Sequence, residues 1–244
     1  MSGFTSSAAS SLTALTEHYR SITHNLANAT TPGFKRRRTS FEEVLDTASA
    51  QASEDASGEA QLVPFHTMDF SQGVMTQTGS RLDLALEGRG FFRLEGSPEG
   101  VLYTRNGKFA VDVNRQLVDV RGRIVSGQNG QITLPPMVSP ADLQISADGT
   151  LSVAGQELGK LRIVDFEDPS ALVPVGENCF RASADAEKPA EDAHVRQGYV
   201  ESSNVSVVEE LVGLITVTRL YEANLKSIHV QDEQMKNILQ VAMG

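Results

Sequence analysis

The chain has 244 residues, of which 31 are acidic and 21 are basic, giving a formal net charge of -10. This length allows one large domain or two ordinary ones. The excess of acidic residues argues against non-specific nucleic-acid binding, which needs a basic surface. Cys179 is the single cysteine, so an intramolecular disulfide and a cysteine-based metal cage are both excluded.

The N-terminal stretch MSGFTSSAASSLTAL lacks the positively charged start and the apolar core of a secretory signal peptide. No unbroken apolar run approaches the roughly 20 residues that span a bilayer. The sequence therefore predicts no direct membrane insertion and no cleaved signal. Two possibilities remain for the location of the chain: the cytoplasm, or a place reached by an export route that does not depend on a cleaved signal.

Apolar residues near the N-terminus recur in alternating steps of four and three from Ala8 to Ala29. This spacing is typical of a helix with one stripe facing a partner helix. The helix should end at Thr31-Pro32-Gly33, because proline lacks a backbone donor and disfavours helical geometry in the residue before it. The assembly residues predicted on this helix are Leu12, Leu15, Tyr19, Ile22 and Leu26.

The C-terminal region predicts a second helix, beginning after a capping box of Ser206 and Glu209 and running for about 36 residues. A further apolar stripe through Val208 and Val212 makes its apolar face wider than one partner helix would cover. The assembly residues predicted here are Leu211, Leu214, Ile215, Tyr221, Leu225 and Ile228. Two interpretations stay open, an ordinary helix pair within the chain or ends that fold fully only against other chains.

The middle of the chain has a different pattern. Residues 46–61 lack large apolar groups and predict a flexible acidic linker, preceded by a short helix from Ser40 to Leu45. From about residue 81 to residue 200 the hydrophobic period changes to two, with turn pairs at Asn106-Gly107, Asn129-Gly130 and Asp148-Gly149. This pattern predicts eight to ten short antiparallel strands joined by type I′ hairpins.

Together these elements predict an α+β fold, in which a discontinuous coiled-coil pair of long N- and C-terminal helices flanks an antiparallel all-β domain. The predicted division is a terminal helical domain of residues 1–31 and 204–244, a connector of residues 32–80 and a β-domain of residues 81–203.

The sequence offers no convincing catalytic or metal-binding set. His18 and His24 are six residues apart, which does not match the i, i+4 spacing of a helical metal site. Gly88-Arg89-Gly90-Phe91 lacks the third glycine of a nucleotide-binding loop and is better explained as a tight turn. Asp165, Glu167 and Asp168 precede a proline and fit a solvated loop. We therefore expect no enzymatic activity, no cofactor and no metal.

The strongest basic cluster, Lys35 to Arg38, directly follows the break in the first helix. A nucleic-acid contact, a targeting signal and a joint in a larger assembly are possible. No series of aromatic residues accompanies the cluster, and a cluster of cations beyond a helix C-terminus can bind acidic groups of a neighbour. We interpret the stretch as a joint formed by Asn25, Asn28, Pro32, Gly33, Phe34 and Lys35.

Several motifs in register resemble the rod and hook family of bacterial flagellar axial proteins. The motifs are Asn25-Leu26-Ala27-Asn28 with Thr31 and Gly33-Phe34-Lys35, Ser71-Gln72-Gly73, Leu82-Asp83-Leu84-Ala85-Leu86, Gly90-Phe91-Phe92, Tyr103 to Phe109, Gln197 to Val205, and Tyr221-Glu222-Ala223-Asn224. They occur in the expected order over about residues 11–240.

The resemblance implies a structural subunit that is exported by the flagellar type III apparatus and polymerises into a helical tube in the periplasmic part of the basal body. The implied partners are copies of itself, other rod and hook subunits and the export apparatus. The length favours a rod protein over the larger hook protein, and the short segment 46–61 favours the proximal rod type over the distal type. A hook-type subunit and a secreted adhesive or carbohydrate-binding β-protein are the alternatives.

Overall fold

The computed structural model describes residues 2–45, 60–97, 100–182 and 186–243. Contacts divide the chain into two compact units. Unit 1 consists of Met1–Ala27, Arg37–Asp69 and Ser206–Gly244, and unit 2 consists of Asn28–Arg36 and Phe70–Val205.

Unit 1 contains the two helices and a two-stranded sheet. Helix α1 spans Ser2–Ala27 and helix α2 spans Val207–Met243, while strands β1 (Arg36–Leu45) and β2 (Ala60–Asp69) pair with each other. Helix α1 packs against both α2 and β2. The hydroxyl oxygen of Ser206 accepts a hydrogen bond from the Glu209 amide at 3.5 Å, which is one of the two hydrogen bonds of the predicted capping box at the start of α2.

Unit 2 is built from short strands. They are β3 (Met75–Gln77), β4 (Leu84–Glu87), β5 (Phe91–Ser97), β6 (Gly100–Thr104), β7 (Phe109–Val111), β8 (Leu117–Asp119), β9 (Ile124–Gly127), β10 (Gly130–Gln131), β11 (Gln144–Ile145), β12 (Thr150–Val153), β13 (Gln156–Lys160), β14 (Ile163–Phe166), β15 (Val173–Gly176), β16 (Cys179–Arg181), β17 (Glu187–Pro189), β18 (His194–Gln197) and β19 (Tyr199–Glu201). Short 3-10 helices lie at Pro140–Asp142 and Pro169–Ala171.

The strands of unit 2 pair antiparallel. The largest sheet has the order β15-β16-β6-β5-β9-β8-β7, with β10 on β9, β14 on β5 and β17 on β14. The other sheets are β11-β12-β13, β18-β4 and β19-β3. Their inward side chains form one apolar core, whose fully buried members include Leu84, Phe92, Leu94, Leu117, Leu143 and Leu151.

The predicted α+β class with a discontinuous coiled-coil pair of long terminal helices is wrong. The structure is mostly β-sheet with one N-terminal and one C-terminal helix, and among the described residues no long helical pair flanks a β-domain. A coiled coil needs a seam that both helices bury. The residues counted toward that seam on α2 include Leu211 and Leu225, which are 43% and 37% exposed.

The connector also differs from the prediction. Residues 40–45 lie in strand β1 and not in a short helix, because the stretch pairs with β2. Of the predicted linker 46–61, residues 60 and 61 belong to β2 and the remainder lies outside the described residues.

From residue 81 onward the described part of unit 2 holds 16 strands, β4 to β19, where eight to ten were expected. The predicted hairpin turns are also not type I′, which needs a positive φ at both central positions. Gly130 and Gly149 have φ values of +113° and +85°, but Asn129 and Asp148 are not among the residues with positive φ.

Candidate assembly site

Helix α1 turns most of its predicted assembly residues inward. Ile22 is buried, Leu12, Leu15 and Leu26 are half-buried, and Tyr19 is 45% exposed. On α2, Leu214 and Ile228 are half-buried, whereas Leu211, Ile215, Tyr221 and Leu225 are exposed.

The buried face of α2 runs through Glu210 and Val217, each 2% exposed. Gly213 lies between them, and a Cβ placed there would come within 3.3 Å of the Ile22 Cδ1 atom. The missing side chain therefore lets α1 approach α2 at this point. Farther along, a cleft of about 270 Å³ separates the helices and is lined by Leu15, Thr16, Tyr19, Val217, Thr218 and Tyr221.

Asn25 fixes α1 to the start of β1. Its amide oxygen accepts a hydrogen bond from the Arg37 backbone N–H and its amide nitrogen donates to the Arg37 carbonyl, both at 2.8 Å. The same nitrogen lies 3.3 Å from the Glu210 Oε1 atom, inside the unit. One buried side chain thus connects α1, β1 and α2, which agrees with a positioning role for this predicted joint residue.

A second surface of α2 is apolar and uncovered in the chain. Val208, Leu211, Val212 and Ile215 follow the i, i+3, i+4, i+7 spacing that places side chains on one helical face. They are 71%, 43%, 59% and 55% exposed. We call these four residues the outer α2 face. Contiguous exposed apolar surface of this kind is typical of a protein interaction site.

The remaining joint residues belong to unit 2. Asn28 and Thr31 form a turn through a 3.1 Å backbone hydrogen bond, and the Pro32 carbonyl accepts one from the Asn178 side chain at 2.9 Å. Gly33 has a φ of +69°, and a Cβ on it would lie 2.4 Å from the Asn106 backbone nitrogen. Glycine is therefore required at this position, for its conformation and for the space.

Phe34 and Lys35 are buried, 4% and 1% exposed, so neither is presented to a neighbour as the sequence interpretation expected. The basic run is used within the chain. Lys35 pairs with Glu201, and Arg38 pairs with Asp69 at 2.6 Å.

The Lys35 ammonium enters a buried charged cluster centred on Glu201. Its Nζ atom donates to Glu201 Oε1 at 2.6 Å and to the Ser71 carbonyl at 2.8 Å. The same carboxylate oxygen accepts the Gly73 backbone N–H at 2.9 Å, and the second oxygen lies 3.4 Å from Arg105 Nη1. Charge-assisted hydrogen bonds of this kind are the stronger class, and they offset the cost of burying the carboxylate.

Arg105 is the third charge of this cluster and is 4% exposed. Its Nη2 atom donates to the Gly88 carbonyl at 2.7 Å, and its guanidinium carbon lies 5.3 Å from the centre of the Phe91 ring. Burial lowers the pKa of this guanidinium, while the charge of Glu201 acts in the opposite direction. The cluster therefore holds two cations against one carboxylate.

Motifs far apart in the sequence meet at this cluster. They are the segment Gly33 to Lys35, the stretch Ser71-Gln72-Gly73, the strand end Leu86 to Gly88, Arg105 with Asn106, and the stretch Glu201 to Asn204. Sequence reasoning named only the first of these as a site. Glu201, Arg105 and Asn204 were missed because a hydrophobic pattern scores charged and amide residues as exposed.

The structure also describes the residues that were considered as candidates for catalysis or metal binding. Among the described residues, no three His, Cys, Asp or Glu side chains are placed to hold a metal ion. Burial raises the pKa of the Cys179 thiol to about 11. Gly88 and Gly90 have φ values of +95° and +141°, as expected for a turn. Neither described helix is long and apolar enough to cross a membrane.

Comparison with known proteins gives the same assignment as the motifs. The family described as "Flagellar hook protein FlgE/F/G D1 domain" matches residues 85–153, and the one described as "Flagellar basal body rod FlgEFG protein C-terminal" matches residues 196–241. The first stretch contains most of β4 and all of β5 to β12, and the second contains β19 with almost all of α2.

Related full-length proteins extend the match over most of the chain. The flagellar basal-body rod protein FlgG of Buchnera aphidicola subsp. Schizaphis graminum is 34% identical over 244 residues, which cover 90% of this chain and 92% of that protein. FlgG of Caulobacter vibrioides is 31% identical over 254 residues, covering 94% and 95%. FlgF of Caulobacter vibrioides is 34% identical over 213 residues, covering 84% and 83%.

The chain belongs to the flagellar basal-body rod protein family, whose members are structural subunits of the flagellum. The expected proximal subtype is not supported, because FlgG, the distal rod type, is the better matched of the two. In Caulobacter vibrioides the match to FlgG covers 94% of this chain at 31% identity, and the match to FlgF covers 84% at 34% identity.

Proposed function

We propose that the chain polymerises into the helical tube of the flagellar rod, and that the outer α2 face packs against a neighbouring subunit there. The observation that supports this contact is the contrast within α2. Val217 is 2% exposed, whereas Val208, Val212 and Ile215 on the opposite side are all more than half exposed. Burying a valine or isoleucine side chain gains about 1.5–3 kcal/mol, so this face favours association.

The proposed tube carries the export channel and transmits torque as part of the periplasmic rod. The chain reaches this place through the flagellar export apparatus, and its partners are copies of itself and other rod and hook subunits. We assign it to the distal rod type and propose no catalytic activity, no cofactor, no nucleic-acid contact and no direct membrane insertion. A hook-type position is the second candidate, because the matched D1 family includes hook proteins.

The test replaces Ile215 in cells whose own copy of the gene is deleted. A buried unpaired carboxylate costs several kcal/mol, so Ile215→Asp should prevent incorporation and abolish swimming. Thr216→Asp, one residue on and outside the outer α2 face, is the matched control and should swim normally.

Imaging of basal bodies with a labelled chain measures incorporation directly and separates rod from hook. The Ile215→Asp chain should be exported and recovered unassembled, because Ile215 is exposed and its replacement leaves each unit folded. Normal swimming of Ile215→Asp would contradict a contact at this face, and label in the hook would favour the second candidate.

A further inference from the structure

The chain passes between unit 2 and unit 1 at several points, and three of these points in unit 2 lie close to the side chain of Asn204. Unit 2 ends at Arg36, begins again at Phe70 and ends again at Val205. Asn204 lies next to the last of these points, and Arg36 and Ser71 lie at the other two. Residues that are 133 and 168 positions apart in sequence are thus brought together at Asn204.

The Asn204 side chain hydrogen-bonds to both of the other connections. Its Oδ1 atom accepts the Arg36 backbone N–H at 2.7 Å. Its Nδ2 atom donates to the Ser71 carbonyl at 3.1 Å and lies 3.0 Å from the Ser71 hydroxyl. The Asn204 backbone N–H also points to the Phe34 carbonyl, at 3.4 Å.

We propose that Asn204 is a positioning residue for rod assembly, a clasp that holds the three connections at fixed separations within unit 2. This proposal rests on the proposed function. We use "Asn204 clasp" for Asn204, Arg36 and Ser71. The segments that leave the clasp lead into β1, out of β2 and into α2, so it fixes where all three begin or end in unit 2.

The chemistry of the site selects asparagine. The side chain must accept from one backbone N–H and donate to one carbonyl at the same time, which an amide does and a carboxylate does not. Aspartate would keep the acceptor for Arg36 but would place a second oxygen against the Ser71 carbonyl. Lys35 Nζ shares that carbonyl at 2.8 Å, so the clasp is continuous with the charged cluster.

A simpler alternative is that Asn204 only satisfies local backbone groups and contributes to the stability of unit 2. Gln72 provides the matched control. Its amide makes two comparable bonds in the same unit, donating to the Leu86 carbonyl at 3.0 Å and accepting the Gly88 N–H at 3.2 Å. Neither of these partners lies at a connection.

The experiment compares full-length Asn204→Ala, Asn204→Asp and Gln72→Ala. Hydrogen exchange at the Arg36 amide should rise by about tenfold or more in Asn204→Ala, which removes its acceptor, and stay unchanged in Gln72→Ala. Asn204→Asp keeps that acceptor and removes only the donation to the Ser71 carbonyl, so its Arg36 amide should exchange at close to the wild-type rate. The thermal midpoint of unit 2 should fall by a similar few degrees, about 2–4 °C, in Asn204→Ala and Gln72→Ala. Rod incorporation and swimming should be lost in the Asn204 variants alone.

Normal swimming of Asn204→Ala despite fast exchange at Arg36 would overturn the proposal. Equal losses of swimming in Asn204→Ala and Gln72→Ala would assign Asn204 a stabilising role only, which also overturns it. The proposed function is tested separately by the wild-type chain. If the labelled wild type enters the rod and the Asn204 variants do so equally well, the clasp fails and the rod subunit assignment stands.

Discussion

Lys35 Nζ lies 2.6 Å from Glu201 Oε1, and each side chain is 1% exposed. Arg105 pairs with the same carboxylate, so removing the charge of Glu201 should lower the stability of the fold more than removing the charge of Lys35. Glu201→Gln leaves Lys35 and Arg105 buried without the carboxylate that they share and should lower the free energy of unfolding by roughly 3–5 kcal/mol. Lys35→Met leaves Glu201 and Arg105 as a neutral pair and should cost about 1–3 kcal/mol.

Urea unfolding of the purified chain, followed by tyrosine fluorescence, measures this order. Arg38→Met removes an exposed ion pair with Asp69 and serves as the control, with an expected cost of about 0–1 kcal/mol. A larger loss for Lys35→Met than for Glu201→Gln would show that the excess positive charge is compensated in some other way.

Gly33 is expected to tolerate no side chain. Gly33→Ala would require a positive φ and would place the Cβ atom 2.4 Å from a backbone nitrogen. The strained conformation costs about 1–3 kcal/mol, and the backbone clash adds to it. Gly79→Ala is the matched control, since Gly79 has a φ of +76° and no heavy atom within 4 Å of the added Cβ. Thermal melts should show a clearly larger shift at position 33; equal shifts would mean that the clash is relieved by movement.

The burial of a side chain on α2 should determine how much an aspartate at that position lowers stability. Val217→Asp buries a carboxylate between α1 and α2 and should lower the stability of unit 1 by several kcal/mol. Leu225→Asp alters a side chain that is 37% exposed and should cost about 1 kcal/mol or less in the isolated chain. Helix melting by far-ultraviolet circular dichroism distinguishes the variants. A large loss for Leu225→Asp would mean that this residue packs within its own chain after all.

Alkaline pH should weaken the fold through buried groups that resist ionisation. Burial raises the pKa of Cys179 from 9.0 to about 11, and burial with a hydrogen bond to Glu187 raises the pKa of Tyr103. The unfolded thiol releases its proton first, so the free energy of unfolding falls as pH rises from 9.0 to about 11.

The Cys179 share of this loss is about 1–3 kcal/mol. Cys179→Ala should therefore make stability less sensitive to pH in this window, while the contribution of Tyr103 remains. Urea titrations at pH 8 and pH 11 measure the difference. An unchanged pH dependence in the variant would show that the thiol ionises equally easily in both states.

The sequence predicted those parts of the structure that a local pattern specifies. Ser206 starts α2 and the 3.6-residue period carries that helix to its end, because caps and periodicity act between near neighbours. The orientation of α2 could not be predicted. Apolar content does not select one buried face, because apolar side chains surround much of the helix. They are Val208, Leu211, Val212, Leu214, Ile215 and Val217. The buried face includes the charged residue Glu210, whose carboxylate contacts Asn25 from a position 185 residues away, and apolar content gives no sign of that contact.

The candidate site shows the same limit. The joint was predicted from Pro32 and Gly33, whose backbone preferences are visible in the sequence alone. The buried charged cluster beside these residues was not predicted, because Glu201 and Arg105 pair with each other and with Lys35 across long stretches of sequence, and such pairs depend on the tertiary fold. Residues 40–45 of strand Arg36–Leu45 were mistaken for a short helix because Ser40 and Glu43 imitate a capping box, and pairing with a second strand overrides that local preference.

The Gly33 backbone N–H donates to the Glu201 carbonyl at 2.7 Å, so the first and last segments of unit 2 meet within one hydrogen bond. A mechanical load that enters the unit through one of these segments and leaves through the other need not cross the sheets. It acts first on the short path through Gly33 and Glu201, where the neighbouring buried charges resist separation. A subunit connected in this way can bear tension between its two ends while the apolar core of its β-strands stays unloaded.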